Sequence, residues 1–284
     1  MLTACEELDY MPSAHAQALA RGVSRVVLVD LSEFPHGILA ADQARALGET
    51  LEQAGFIAVV APPGWGSTDH TLLRGLAPLL VPFAVITVSP LPDAIARELT
   101  RLGVQRQIAL APPDRIDGWI GRSARTQVRH LREHGHTRIG YWLPADAHLS
   151  HFAQARLRAA QDEGARFGDV EVTALGAGDD AASIIAAVRA AGVTAVAAYN
   201  DETAFPVIAA LHAAGIRIPD GVAVMGIDDH PLAAFAIPPL TTVAFGTSEL
   251  TAMASVVSHL VDETPIPQTD PDDALPVVVE RASV

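Results

Sequence analysis

Lysine is absent from this 284-residue chain, so its 19 basic side chains are all arginines, set against 33 aspartates and glutamates. The resulting formal charge of -14 at pH 7 opposes binding of this chain alone to a phosphate backbone. Cysteine is nearly absent as well. Cys5 stands alone, which excludes an internal disulfide framework and any cysteine-rich zinc site and points to a reducing compartment. Aromatic residues make up 5% of the chain, so a core drawn from its 50% hydrophobic content has to be built from Ala, Val, Leu and Ile. The longest apolar stretch, 76–88, is broken by Pro78 and Pro82 and is too short to span a bilayer. The N-terminus shows no basic region followed by an apolar core and a small-residue cleavage site. These absences predict a cytoplasmic protein with no membrane partner and weigh against a secreted solute-binding protein.

What the sequence does contain is a repeated alternation. Strand-like runs near 26–29, 57–60, 83–88 and 107–110 alternate with helical patterns over 38–54, 92–102 and about 123–133. A second half repeats the scheme, with strands near 139–142, 171–174, 192–198 and 222–227 and helices over 152–165 and 181–191. Such alternation predicts an α/β fold of two similar lobes, each a parallel sheet with helices on both faces. Another helix is expected from 248 to about 261, before an acidic, proline-rich loop at 265–276.

The most informative stretch is 199–229. One apolar run stops at Asn200 and Asp201 and the next stops at Asp228 and Asp229, while the helical pattern between them closes on Gly215, with Pro219 barring continuation. In open parallel sheets ligands bind outside the carboxyl ends of the strands, so this βαβ unit is expected to present an amide and carboxylates to a cleft.

The order Asn200-Asp201, Gly215-Ile216-Arg217-Ile218-Pro219-Asp220, Gly226-Ile227-Asp228-Asp229 and Pro238-Pro239-Leu240-Thr241-Thr242 resembles the effector-binding core of the lactose/galactose repressor (LacI/GalR) family of bacterial transcription regulators. The run from His130 to Ile139 and the closing segment Val277 to Ser283 are similar to further signatures of that family, so the resemblance covers nearly the whole chain. It implies a type I periplasmic-binding-protein-like fold with a multi-strand hinge near 135–137, 242–245 and 267–273. It also implies a division into 1–22 (end of a DNA-reading headpiece and hinge helix), 23–135 plus 245–264 (first lobe) and 136–244 plus 265–284 (second lobe). The implied function is effector sensing and dimerisation for a sugar-responsive regulator, a repressor, whose small-molecule ligand controls DNA binding. A free-standing sugar-binding protein or a cleft enzyme is the alternative.

Carried over position by position, the resemblance assigns effector contacts to Asn200 and Asp228, and to Arg158 on a helix where Arg156 is the competing choice. The chemistry suits each: a carboxylate accepts two hydroxyl hydrogen bonds, a guanidinium donates a planar fork, and an amide does both. Asp180 falls at a contact position, with Asp179 as a competing helix cap. Glu202 and Phe245 are secondary candidates, and Phe245 could equally be hinge packing. Where many members carry an Asp-Asn pair, this chain reads Asp117-Gly118-Trp119-Ile120-Gly121-Arg122. Arg122 then makes an anionic ligand plausible, and Trp119 stacks on a sugar face or plugs the lobe interface. Ser13, Ala16 and Leu19 match the hinge helix that enters the minor groove. The reading helix that would precede them is missing from this sequence, so operator binding is expected only with the headpiece, by a homodimer on a palindromic site.

Other chemistries are poorly represented. Gly176-Ala177-Gly178 lacks the third glycine of a dinucleotide fingerprint, and Gly121-Arg122-Ser123 does not continue into a nucleophile elbow. His130, His134 and His136 have tempting spacing, but with no nearby cysteine or paired carboxylate they are expected on the exposed end of a helix. No catalytic residue, metal or cofactor is therefore assigned.

Overall fold

The computed structural model describes residues 24–32, 38–61, 70–110, 116–145, 150–176, 180–244 and 276–284. Among them, β1 (Val26–Asp30), α1 (Ile38–Gln53), β2 (Ile57–Ala61), α2 (Thr71–Leu80), β3 (Ala84–Thr87), α3 (Asp93–Arg101) and β4 (Arg106–Ala109) form a parallel four-stranded sheet in the order β2-β1-β3-β4. The chain continues through α4 (Ile116–Glu133), β5 (Arg138–Trp142), α5 (Ser150–Phe167), β6 (Glu171–Leu175), α6 (Ala181–Ala191), β7 (Ala195–Ala198), α7 (Asp201–Ala213), β8 (Ala223–Ile227), β9 (Thr241–Ala244) and β10 (Val277–Val279). These strands form a six-stranded sheet in the order β10-β9-β8-β7-β5-β6, and β10 runs antiparallel to β9 while the rest are parallel. No helix among the described residues is long and apolar enough to cross a membrane.

Period-two side-chain alternation explains how both faces of each sheet are filled. In β1, Val27 and Val29 pack with Leu47 and Leu51 of α1, while Leu28 faces Leu73 and Ala77 of α2 and Leu99 of α3. On the second sheet, Val196, Ala198 and Val224 meet Ile184 and Val188 of α6 and Val207, Ile208 and Leu211 of α7. Its other face sets Ile139, Ala197 and Met225 against Ala124, Val128 and Leu131 of α4 and Leu157 of α5. β7, Ala-Val-Ala-Ala, is buried throughout, as a central parallel strand covered on both faces requires.

Three expectations change. α4, assigned from sequence to the first lobe (23–135), packs along the second sheet from Ala124 onward, and only Ile120 joins the cluster of the first. An amphipathic stripe marks a buried face without naming the sheet that buries it. Secondly, the last strand makes the second sheet mixed rather than purely parallel. Thirdly, Pro78, read from sequence as a break in the apolar stretch 76–88, sits inside a helix over 71–80. The helix expected at 248–261 and the loop at 265–276 lie outside the described residues.

Candidate functional site

The carboxyl ends of β7 and β8 carry the polar groups. Asn200 ends the β7 run as the N-cap of α7: its Oδ1 accepts from Thr203 N at 3.0 Å and its own N–H donates to Thr203 Oγ1 at 2.9 Å. This reciprocal box satisfies two backbone donors that a helix start leaves open, and it holds the buried Asn200 side chain at the strand end, where it also hydrogen-bonds Asp228. Asp228 follows β8 in a positive-φ conformation (106°), and so does Asp229 (50°). Non-glycine residues rarely adopt this region, and such strain concentrates at ligand sites and switches.

Asp228 Oδ1 is buried without a hydrogen-bond partner. Burial pushes its carboxyl up to about 6, despite the opposing pull of Arg156 and Asn200, and Glu202 adds repulsion. The guanidinium of Arg156 is buried beside it, with Nη2 3.9 Å from Asp228 Oδ1, Nη1 donating to the Tyr199 carbonyl at 2.6 Å, and Cζ 4.6 Å from the centre of the Tyr199 ring. Tyr141, on β5, is fully buried, and its hydroxyl has no hydrogen-bond partner. A carboxylate, a guanidinium, an amide and a phenol therefore converge at one sheet end, a set suited to a ligand rich in hydroxyls or carrying an anionic group.

A supporting layer fixes these strand ends. Gln127 of α4, fully buried, donates through Nε2 to the carbonyls of Ala198 (2.9 Å), Met225 (3.1 Å) and Gly226 (3.1 Å). Asp201, 1% exposed, accepts from Thr242 Oγ1 at 2.6 Å and from His230 N at 2.7 Å. Burial raises its pKa to about 7 although those bonds favour the charged form, and Asp228 and Asp229 add to the rise. Glycine is required at 226 because a Cβ there would lie 1.9 Å from Asp201 Oδ1. Arg281 clamps the far side, donating to Asp229 Oδ1 at 2.7 Å and to the Leu240 carbonyl at 2.8 Å.

The first sheet presents its own pair. Asp30 ends β1 and meets His70, with Oδ2 3.2 Å from Nδ1, and both side chains are buried. Burial works to raise the Asp30 pKa, but hydrogen bonds from His70 and Ser32 outweigh it and hold the carboxyl below its ordinary value. The two units also share apolar contact: Phe152, Ala153, Ala155 and Tyr199 belong to the same buried cluster as Val29, Leu31 and Ile86.

Of the candidates read from sequence, Asn200 and Asp228 come together. Arg158 does not join them: it is exposed on α5, while Arg156 reaches Asp228. Two residues along a helix is about 200° of rotation, so the two arginines cannot share a face. Asp180 is exposed and caps α6, accepting from Ser183 N at 2.9 Å. Arg122 is half-buried on α4, and Glu202 is exposed in the first turn of α7. The side chain of Trp119, and Phe245, Asp179, Ser13, Ala16 and Leu19, lie outside the described residues. Gln127 and Asp30 were missed, and Asp201 was noted at its strand end without a role of its own. Asp30 was within reach of the strand-end rule that found Asp228; nothing in the sequence marks Gln127.

Two sheets with polar groups gathered at their carboxyl ends define a two-lobed small-molecule-binding architecture. Consistent with it, the family model for the periplasmic binding protein-like domain matches residues 128–284. The HTH-type transcriptional regulator GalR of Escherichia coli (strain K12) is 26% identical over 309 residues, covering 99% of this chain and 85% of its own. The HTH-type transcriptional regulator MalR of Streptomyces coelicolor is 30% identical over 273 residues, covering 86% of this chain and 75% of its own. Among solved structures, a transcriptional regulator CelR-cellobiose complex superposes with a TM-score of 0.67 at 25% identity, covering 99% of this chain and 89% of that one. The chain belongs to the LacI/GalR family of transcription regulators, as an effector-binding core of that family.

Proposed function

We propose that the cluster at Asp228 binds a sugar or sugar derivative, and that this binding regulates transcription. The observation that carries the reading is the buried Oδ1 of Asp228, which has no hydrogen-bond partner and lies 3.9 Å from Arg156. Leaving a buried acceptor unmet costs about 1–3 kcal/mol, and a ligand hydroxyl would meet it. Asn200 and Arg156 would orient the same ligand, with Arg122 and Trp119 as the further candidates that the family resemblance supplies. The relatives named CelR and GalR are regulators and one is seen with cellobiose, which supports a carbohydrate ligand and a sensor in place of a catalyst.

In this reading the cytoplasmic chain works as a homodimer, since a palindromic operator calls for two-fold symmetry. Together with a DNA-reading headpiece, Ser13, Ala16 and Leu19 would supply the hinge helix that meets DNA. The effector biases an open against a closed arrangement of the lobes by its differential affinity for the two. Calorimetry with a panel of neutral and phosphorylated sugars tests it. At least one should bind the wild type, and Asp228→Ala should weaken it by about 1–3 kcal/mol. Unchanged affinity in a folded Asp228→Ala protein would remove the effector from this crevice.

A further inference from the structure

Away from the strand ends, the C-terminal end of α4 gathers side chains of a different chemistry. His130 and His134 are one helical turn apart and so share a face, with ring centroids 4.3 Å apart. His130 is buried rather than exposed as its sequence context suggests, and its Nε2 has no hydrogen-bond partner. Glu280, immediately after β10, brings its Oε1 to 4.0 Å from His130 Nδ1. One donor atom from each of the three residues lies within 4.8 Å of the others.

A separation of 4.0 Å is too long for a hydrogen bond. It is close to the span of about 3.4 Å between two ligands of a tetrahedral zinc ion with bonds of about 2.0–2.1 Å. His134 Nδ1 is paired with the His130 carbonyl at 2.8 Å. Metal-binding histidines commonly engage their other ring nitrogen in this way, which fixes ring orientation and leaves Nε2 as the ligand atom. The carbonyl end of a helix also carries partial negative charge that favours a cation. His136, the third histidine of the run, is engaged elsewhere, 3.1 Å from Thr194 Oγ1.

We propose that His130, His134 and Glu280 form a binding site for one divalent transition-metal ion of the zinc type, tying the segment after β10 to the end of α4. Two imidazoles and one carboxylate suit Zn²⁺ and its neighbours and leave coordination positions for water, whereas Mg²⁺ and Ca²⁺ prefer all-oxygen ligands. The site does not depend on the effector reading. Sequence could not reveal it, because Glu280 is brought to the histidines only by the fold.

The test uses the full chain stripped of metal, titrated with zinc chloride against a chromophoric chelator. One zinc per chain is expected, together with a rise in melting temperature that follows zinc concentration. His134→Ala and Glu280→Gln, both at exposed side chains, should each weaken zinc binding by about tenfold or more and abolish the thermal shift. Circular dichroism verifies that both variants are folded. Failure of the wild type to bind zinc at millimolar concentration would overturn the proposal. So would undiminished affinity in either variant, which would place the ion on other histidines.

Discussion

Replacing Asp201 by asparagine should flatten the dependence of stability on pH. The Asp201 carboxyl is buried, and burial moves its pKa from 3.8 to about 7. In the unfolded chain the group ionises near the lower value, so between the two the unfolded state releases a proton that the folded state keeps. The stability it contributes is therefore complete below the unfolded value and is lost as pH rises toward 7. At about 1.4 kcal/mol per pH unit, a difference of about three units amounts to roughly 4 kcal/mol. Asparagine keeps the shape and carries no charge: its Oδ1 can accept from His230 N and its Nδ2 can donate to Thr242 Oγ1, the two partners Asp201 holds at 2.7 and 2.6 Å. Urea unfolding of both proteins at several values from about pH 5 to 8 reads the difference directly. Relative to the variant, the wild type should lose about 1.4 kcal/mol per unit up to neutrality and nothing further in alkali. A difference that does not change with pH would show that Asp201 already ionises in acid and would refute the reasoning.

Two expectations concern the effector. Arg156→Ala should weaken binding of a carbohydrate effector by about tenfold or more, since charge-assisted bonds are the stronger kind, whereas Arg158→Ala should leave it within twofold or so; calorimetry showing the reverse would reassign the arginine. Because the Asp228 carboxyl titrates near 6 in the free protein, and its charged form is the better acceptor for hydroxyl donors, affinity should fall by up to about tenfold per unit below that value and level off above it. Persistence of that pH profile in Asp228→Asn would trace it to another group.

The sequence was most legible where one local rule decided the outcome. Apolar runs ending in Asn200 and in Asp228 mark strand ends because the change of polarity is abrupt, and the structure puts both at the carboxyl ends of β7 and β8. Helix faces were legible to the level of periodicity only. Leu131 and Val128 declare a buried stripe, but which sheet buries it depends on how the chain turns after β4, and the stripe of α4 lies on the second sheet. The choice between Arg156 and Arg158 rested on motif register, whereas the phase of α5, set by buried Phe152, Ala155 and Ala159, is what points Arg156 inward. Gln127 and Glu280 have no local signal at all. Their roles arise from contacts with residues far along the chain, three strand carbonyls for Gln127 and His130 for Glu280.

The division of polar groups between the sheets bears on how a ligand could act as a switch. Asp228, Arg156 and Asn200 all gather at the carboxyl edge of the second sheet, whose strand ends are braced by Gln127, Asp201 and Arg281. A ligand that touched only this braced wall would bind an open and a closed arrangement equally well and would shift neither, however tight its binding. Differential affinity has to come from groups that approach when the lobes close. The first sheet offers Asp30, whose carboxyl is kept ionised by His70 and Ser32 and ends β1. On the proposed reading, the second sheet sets how tightly the effector is held. The response to it is then set by what the first sheet adds on closure, so substitutions at Asp30 should alter the regulatory response more than affinity.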